Sequence, residues 1–460
     1  MASGWPVRCR RLATPRGVRT NDAILALAVR CWSEVRRSDF QNLLLTRGAL
    51  EELAAPARVP WRVVGGLAVG NLLNPLNSSM IAVALVSLST DFGVSLGTAT
   101  YIVAAFYVGG AIGMPLMGQL VDRLGARKIF AAGLVLVGVT SGIAPVAPAL
   151  VVLVGLRVFQ AVGTSAPYPA ALAIFRARDA RGRAPAGALG AISVTNSVSS
   201  ALGPVLGGAL VALAGWHAIF LANVPLVVLG LVLATVWLPS DTARQPTTYL
   251  RDDADHPTWL RTWQLLGSKA LLGVYAQFAV VNLVFYAVFY GLPLWLEETR
   301  HYGPDVTGLL LLPVAGIGIG ATPVAARLIS VRGPRPALLI GSSVLLAGSV
   351  LLLVFDTATP VVVLLAVGAV LGIPNGFNNL GLQAALYEAA AANQIGAAAG
   401  LLQTFRYVGA IAATAIIGAV FGAQASSASL HVLAVVMAAA STGLVLASAS
   451  AYRSSFSVST

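Results

Sequence analysis

The chain has 460 residues, of which 57% are hydrophobic and 10% are charged, whereas soluble domains carry roughly 25% charged residues. This composition, with a mean hydropathy of +0.82, excludes a water-soluble globular protein and indicates one solvated mainly by lipid. The formal net charge of +12 does not indicate affinity for nucleic acid, because the basic residues are spread between apolar runs.

Apolar runs long enough to cross a bilayer recur from Trp61 to about Ser450. A membrane span needs about 20 consecutive apolar residues to cross roughly 30 Å of hydrocarbon. A single run could be a buried helix of a large soluble protein, but twelve runs joined by short loops indicate a polytopic α-helical membrane protein. The predicted spans are 64–88, 98–119, 129–147, 149–175, 187–212, 218–238, 270–296, 306–328, 336–355, 360–385, 395–421 and 429–450.

Residues 1–60 precede the first span and are rich in arginine. They lack the compact apolar core of a cleavable signal. The stretch NDAILALAVRCWSEV predicts a short amphipathic helix on the inner membrane surface, and a start codon chosen too early is an equal alternative for residues 1–58. Cys9 and Cys31 both lie here, so no disulfide framework is predicted.

Positive charge lies on one side of the predicted spans. Cytoplasmic loops are enriched in Lys and Arg. With the N-terminus inside, the predicted inner segments hold 26 of the 29 basic residues, and we therefore expect both termini in the cytoplasm. Scarce lysine with abundant Ala, Gly, Val and Arg is typical of high-GC bacterial coding and predicts a bacterial inner membrane.

The second half of the chain repeats features of the first. PLMGQLVDRLGARK at 115–128 and PVAARLISVRGPRP at 323–336 match in a proline, a leucine, a glycine and an arginine at a shift of 208 residues. Such repeats are typical of duplicated transporters with a midplane substrate site. We predict an all-α membrane protein with twelve transmembrane helices in two six-helix bundles related by pseudo-two-fold symmetry. The predicted domains are a cytoplasmic N-terminal extension (1–60), an N-terminal bundle (61–238), a cytoplasmic linker (239–269), a C-terminal bundle (270–450) and a cytoplasmic tail (451–460).

The loop GQLVDRLGARK between spans 2 and 3 resembles the signature loop of the major facilitator superfamily. The resemblance implies a gate in which Gly118 lets span 2 approach the other half and Gly125 permits the tight turn. Asp122 would cap a helix end or pair with an arginine of the facing half at the inner mouth. A plain basic inner loop is the alternative. The remaining matching residues are Leu120, Arg123, Arg127 and Lys128.

Three further stretches are similar to elements of multidrug antiporters in the same superfamily. LRVFQAVGTSA carries Arg157, Gln160 and Gly163 of an R-x-x-Q-G-x-G element, with Ala161 departing from it. ALGPVLGGAL matches the G-P-x-x-G-G element of efflux antiporters, which implies a packing seam that seals one side of the pathway. GWHAIFLANVP and QTFRYVGAIA also match, although the branch is usually built with fourteen spans rather than twelve. The seam residues are Gly203, Pro204, Gly207 and Gly208.

Polar side chains inside the predicted spans cluster on four helices. Such side chains are costly in hydrocarbon and tend to face one another or a wet cavity. Interhelical hydrogen bonding would explain any single asparagine, but clustered faces in both halves favour a shared amide-rich cavity suited to neutral or anionic amphiphiles. The candidates on these four spans are Asn74, Asn77, Gln277, Asn282, Tyr286, Asn375, Asn379, Gln403 and Arg406, and spans 4 and 5 add Arg157, Gln160 and Asn196.

The resemblance implies secondary active transport by alternating access, with export of a small amphiphilic molecule or drug in exchange for protons. Span 1 of the drug:proton antiporter branch usually carries an Asp that binds the proton, but LNSSMIAVAL places Asn77 there, which cannot titrate. Either Asp122 or an end carboxylate such as Glu297 couples protons, or the protein is an uncoupled facilitator of a small metabolite.

Other classes fit the sequence less well. The spans hold no convergent titratable groups, nucleophile elbow, phosphate loop or metal-ligand cluster, so we predict no enzyme, no cofactor and no metal. A transporter-fold receptor without transport stays an alternative. The expected partners are a small-molecule substrate, possible coupling protons and the lipid bilayer, with no nucleic acid, and we expect a monomer.

Overall fold

The structure, a computed structural model, describes residues 59–177, 186–240, 265–391, 395–422 and 424–456. All regular secondary structure in these ranges is helical. The predicted N-terminal helix, both cysteines and most of the predicted linker lie outside the described residues. The domain boundaries therefore stay predictions.

Eleven helices in the described ranges are long and apolar enough to cross a membrane, and a pair bent by 63° supplies a twelfth span. The prediction of twelve helical spans is confirmed. The spans are α1 (Trp61–Val83 with Leu85–Asp91), α2 (Leu96–Leu124), α3 (Ala126–Val146), α4 (Leu150–Arg176), α5 (Ala186–Ala214), α6 (His217–Trp237), α7 (Lys269–Glu298), α8 (Pro304–Arg332), α9 (Pro334–Val354), α10 (Val361–Ala389), α11 (Ile395–Phe421) and α12 (Ser427–Phe456).

Several spans are interrupted at points that hydropathy does not mark. The bend of α1 falls at Ala84, between its two helical pieces. Span α4 consists of Leu150–Thr164 and Pro167–Arg176, and α8 breaks at Leu311. Interruptions of this kind are tolerated in a membrane protein where neighbouring groups satisfy the freed backbone.

Helix packing repeats after six spans. In the first half α1 packs on α5, α2 on α4, and α3 on α6. In the second half α7 packs on α11, α8 on α10, and α9 on α12. The two halves contact each other through α5 with α8 and through α2 with α11. A shift of six spans converts each of these pairs into the other. The fold is therefore two six-helix bundles with pseudo-two-fold symmetry.

The repeated sequence segments form the same turn twice. Gly125 has φ 102° and its N–H donates to Val121 O at 3.0 Å. Gly333 has φ 77° and its N–H donates to Ile329 O at 2.8 Å. A positive φ favours glycine, because a side chain would clash with the backbone there. The glycine of the signature loop is thus explained by its turn.

The two ends of the molecule differ. We call the end where α1 finishes and α2 begins the closed end, and the end where α2 finishes the open end. At the closed end the N–H of Gly97 donates to Gly422 O, across the bundles, at 2.9 Å. At the open end, added Cβ atoms on Gly118 of α2 and Gly400 of α11 would meet no heavy atom within 4 Å. The bundles therefore meet at the closed end, which the charge pattern predicts to be the outer one.

Candidate functional site

The predicted glycine seam of α5 first joins α5 to α1 within the N-terminal bundle. An added Cβ on Gly207 would lie 2.7 Å from the carbonyl oxygen of Met80, and one on Gly203 would lie 2.6 Å from Cβ of Ser79. Distances below 3.0 Å leave no room for a side chain. The two glycines allow the helix backbones to touch, as small residues do in membrane helices.

The same seam also joins the two bundles. An added Cβ on Gly208 of α5 would lie 2.8 Å from the carbonyl carbon of Pro304, at the start of α8. An added Cβ on Gly308 of α8 would lie 2.8 Å from the carbonyl carbon of Pro204 on α5. This reciprocal crossing closes one end of the molecule with backbone against backbone.

Four tyrosines form a cluster between the bundles. Tyr107 of α2, Tyr286 and Tyr290 of α7, and Tyr407 of α11 are all at most 6% exposed. The hydroxyl of Tyr290 donates to Ser78 O at 2.7 Å, so the hydroxyl of Tyr107 donates to Tyr290, also at 2.7 Å. The ring of Tyr107 lies 5.0 Å from that of Tyr286 and 5.9 Å from that of Tyr407. This tyrosine cluster ties both bundles together below the closed end.

Arg406 and Asn74 border the tyrosine cluster. Arg406 is half-buried and is hydrogen-bonded to the side chain of Tyr286. Asn74 is hydrogen-bonded to Tyr407 and donates to Oγ1 of Thr164 at 3.1 Å. The groups that act on the charge of Arg406 are tyrosine hydroxyls rather than carboxylates. The centre of the molecule therefore presents aromatic rings, hydroxyls and one guanidinium.

Asn77 and Asn223 form a closed amide pair in the N-terminal bundle. The Asn77 amide donates to Asn223 Oδ1 at 3.0 Å, and the Asn223 amide donates to Asn77 Oδ1 at 2.9 Å. Both side chains are 0% exposed. The position that the resemblance assigns to a proton carrier is thus a sealed pair of groups that do not titrate.

Arg157 is buried beside this pair. Its Nη1 donates to Gln160 Oε1 at 2.6 Å and its Nη2 to the backbone oxygen of Asn77 at 3.4 Å. The guanidinium stacks 4.3 Å from the ring centre of Phe106, and Gln160 donates onward to Ser141 at 2.7 Å. Within the described part of the chain, Nε has no hydrogen-bond partner. Arg157 and Gln160 are each 1% exposed, so neither lines an open cavity in this state.

Three predicted asparagines lie inside the C-terminal bundle. Asn282, Asn375 and Asn379 line a small cavity between α7, α9 and α10, with room for about one water molecule. Asn282 donates to Phe278 O at 2.8 Å, and Asn379 donates to the backbone and side-chain oxygens of Asn375. Asn282 lies one helical turn before Tyr286 on α7, whereas Asn375 and Asn379 lie on α10.

The predicted single shared cavity is therefore divided into three groups. Asn77, Arg157 and Gln160 are buried in the N-terminal bundle, where Asn77 pairs with Asn223 and Arg157 donates to Gln160, and the three asparagines above lie in the other bundle. Only Asn74, Tyr286 and Arg406 meet between the bundles. Gln277 bonds to its own helix, Asn196 Oδ1 has no partner among the described residues, and Gln403 lies three residues before Arg406 on α11.

The signature loop is bound to its own bundle in this state. The predicted approach of Gly118 to the other half is not seen, since an added Cβ there would meet no heavy atom within 4 Å. Arg176 of α4, in the same bundle, acts on the charge of Asp122. Arg127 donates to a backbone oxygen of α6 at 2.9 Å. Arg123 and Lys128 also have interaction partners.

The residues that sequence reasoning missed are contacts between the bundles and the partner of Asn77. Tyr107, Tyr407, Asn223, Gly97 and Gly308 were not among the candidates. Tyr407 follows Arg406 directly and Asn223 lies in a quoted motif, so both carried a signal. The described residues also contain no group of three His, Cys, Asp or Glu side chains that could hold a metal.

Comparison with known proteins identifies the family. A sequence model described as the Major Facilitator Superfamily matches residues 67–414. The chain belongs to the Major Facilitator Superfamily. It is 30% identical over 388 residues to the uncharacterized MFS-type transporter YwoD of Bacillus subtilis (strain 168), covering 74% of this chain and 85% of that protein. It is 27% identical over 334 residues to the tetracenomycin C resistance and export protein of Streptomyces glaucescens, covering 61% of each.

Solved structures confirm the fold of this superfamily member. The nucleoside transporter NupG superposes with a TM-score of 0.68 at 13% identity, covering 84% of this chain and 99% of that one. A bacterial homolog of the human lysosomal transporter Spinster superposes with a TM-score of 0.65 at 16% identity, covering 85% and 96%. The protein is a multi-pass membrane transporter of the superfamily and not an enzyme.

Proposed function

We propose that the protein exports small neutral or anionic amphiphilic molecules by alternating access. The observation that carries this proposal is the asymmetry of the two ends. The bundles touch backbone to backbone at Gly208 and Gly308 on one side of the tyrosine cluster, whereas Gly118 on the other side has no neighbouring atom within 4 Å of an added Cβ. A permanently open pore would not need this arrangement, whereas a carrier loading at the open end would.

The chemistry of the centre supports the substrate class. Tyrosine rings offer flat apolar surfaces with hydroxyl groups at their edges. Arg406 offers a guanidinium that carboxylates and phosphates bind well. A lipophilic cation would find no carboxylate beside Arg406. The named substrate of one relative, tetracenomycin C, makes export of such molecules by this chain a natural proposal.

Orientation and direction complete the proposal. The basic loops and both termini face the cytoplasm of a bacterial inner membrane, as the charge pattern predicts. The open end would then load substrate from the cytoplasm, and the closed end would release it outside. We expect the carrier to act as a monomer, since each bundle pair encloses its own central site.

Exchange for protons is the coupling mode that the motif resemblance favours. The carrier of those protons would not be Asn77, so Asp122 at the open end and Glu297 at the closed end are the titratable candidates. The sealed Asn77–Asn223 pair favours a second mode, an uncoupled facilitator that moves substrate downhill. The two modes differ only in whether a pH gradient drives accumulation.

Reconstitution in liposomes tests the proposal. Uptake of an anionic aromatic probe and of its neutral ester is measured with and without an imposed pH gradient. We expect saturable transport of both probes, and a gradient-driven rise indicates proton exchange. Transport unaffected by the gradient, with new gradient dependence in Asn77→Asp, indicates the facilitator.

A matched pair of arginine variants tests the site. Arg406→Gln should weaken transport of the anionic probe more than that of the neutral one. Arg332→Gln removes the same charge from an exposed position at the end of α8 and should change neither. Binding without transport or any change in accessibility would contradict the proposal and favour a receptor.

A further inference from the structure

Glu297 is a buried carboxyl group that the transport site does not use. It lies near the end of α7 at the closed end and is 9% exposed. Its Oε1 has no hydrogen-bond partner among the described residues. Burying an ionised carboxylate without a partner is costly, whereas the neutral acid is tolerated. The closed conformation therefore favours the protonated form of this side chain.

The helical register places Glu297 on the face of α7 that meets the other bundle. Tyr290 precedes it by seven residues and Tyr286 by eleven. At 3.6 residues per turn, each tyrosine side chain falls within about 20° of Glu297, on either side of it, and Glu297 lies about 10 Å beyond Tyr290 toward the closed end. Tyr290 contacts Tyr107 and Ser78 of the N-terminal bundle. Separation of the bundles at the closed end would therefore expose Glu297.

The charged groups on α7 and the loop after it do not neutralise Glu297. Its neighbour Glu298 repels its charge. Arg300 donates to two backbone oxygens of the loop between α9 and α10 and to the hydroxyl of Tyr302. His301 is exposed.

The helices packed against this part of α7 bring few titratable groups. His431 of α12 bonds to Phe355 O at 2.8 Å. Asp91 at the end of α1 accepts from Trp216 at 2.8 Å, and Asp305 lies at the start of α8. The last turns of α11 and the first of α10 carry no ionisable side chain. The titratable side chains near Glu297 are thus either acidic or, where basic, already bonded to other groups.

We propose that Glu297 is a proton-binding site whose protonation holds the closed end shut. This inference rests on the alternating access proposed above. When the closed end opens, the exposed carboxyl releases its proton to the solution on that side. When the end closes, Glu297 takes a proton from the same solution. In this role the group moves no net proton across the membrane, so proton exchange would fall to the other candidate, Asp122, but Glu297 makes the conformational equilibrium depend on pH at that side.

A reporter cysteine measures this equilibrium. Thr100, 2% exposed where α2 meets α11, is changed to cysteine in a chain without Cys9 and Cys31. Its labelling by a membrane-impermeant thiol reagent, applied at the closed end, is followed between pH 5 and 8. The labelling rate at each pH is divided by the rate for the same reporter in Glu297→Gln. The effect of thiol ionisation on the labelling rate then cancels from the ratio.

The proposal predicts that this ratio rises with pH. Where only the closed state binds the proton, the ratio of open to closed molecules rises up to about tenfold per pH unit. Glu298→Gln, the matched control on the half-buried neighbour, should keep the rise. A ratio that stays constant with pH would overturn the proposal.

Two further measurements keep the outcomes distinct. If Glu297→Gln does not fold, the infrared spectrum of the wild-type and Glu298→Gln proteins decides, because a protonated carboxyl band at neutral pH supports the site and its absence overturns it. Substrate is also added at fixed pH. Labelling that responds to substrate but not to pH overturns the proton site alone, whereas labelling that responds to neither contradicts alternating access.

Discussion

Replacing Gly308 by alanine should force the closed end open. The added Cβ would lie 2.8 Å from the carbonyl carbon of Pro204 and closer still to its oxygen. Both partners of this contact are backbone, so no side chain can rotate away. Relief requires α5 and α8 to separate, and these two helices belong to different bundles.

The magnitude follows from the cost of overpacking, about 1–3 kcal/mol for an added methyl group in a filled site. Because the open conformation does not carry this strain, the equilibrium shifts toward it by about 5- to 150-fold. Alanine also stabilises a helix relative to glycine by about 0.5–1 kcal/mol. This helix-propensity contribution is removed by comparison with Gly316→Ala. Gly316 lies on the same span, and its added Cβ would meet nothing within 4 Å.

The assay is thiol labelling at Thr100→Cys, on the other inter-bundle seam. Gly308→Ala should raise the labelling rate from the closed end by the factor given above, and Gly316→Ala should leave it unchanged. Equal rates in the two variants would refute the conclusion that the α5–α8 crossing holds this end closed.

Three further outcomes are expected. Asn223→Ala should lower the free energy of unfolding by about 1–3 kcal/mol, because the amide of Asn77 is left unpaired in a sealed site. Thermal unfolding in detergent measures this loss of stability, and a loss no larger than that caused by Asn196→Ala would contradict the prediction. Tyr107→Phe removes one hydroxyl bond between the bundles, worth about 0.5–1.5 kcal/mol, and should raise reporter labelling by about 2- to 13-fold. The backbone N–H of Ala358 and the hydroxyl of Thr359 donate hydrogen bonds to the Asp356 carboxyl and lower its pKa. The ionised carboxyl therefore stabilises the fold above about pH 4, and this stabilisation is lost as the pH falls through the lowered pKa. The melting temperatures of wild type and Asp356→Asn should differ at neutral pH and converge in acid. A difference that persists in acid would contradict this.

The membrane spans and the repeat could be predicted from sequence because they depend on local composition. Hydropathy located twelve spans. The resemblance predicted a tight turn at Gly125, and the structure forms the same turn at the matching Gly333, with positive φ at both glycines. The bend at Ala84 could not be predicted, because the surrounding residues are as apolar as those of straight spans.

The candidate site was predicted in part. Asn77 and Arg157 were recognised as costly polar groups, but their partners depend on which helices touch. Tyr107 looks like an ordinary packing residue in sequence and becomes a bundle contact only in the assembled fold. The predicted contact of Gly118 with the other half is not made in this structure, where an added Cβ would meet open space.

One measurement tests alternating access most directly: spin-label distances across both ends of the same protein. Thr90 with Gln424 spans the closed end, and Leu124 with Val331 spans the open end, all four being exposed positions. On addition of a transported substrate, the first distance should lengthen while the second shortens. Two distances that change in the same direction, or that both stay fixed, would contradict the account.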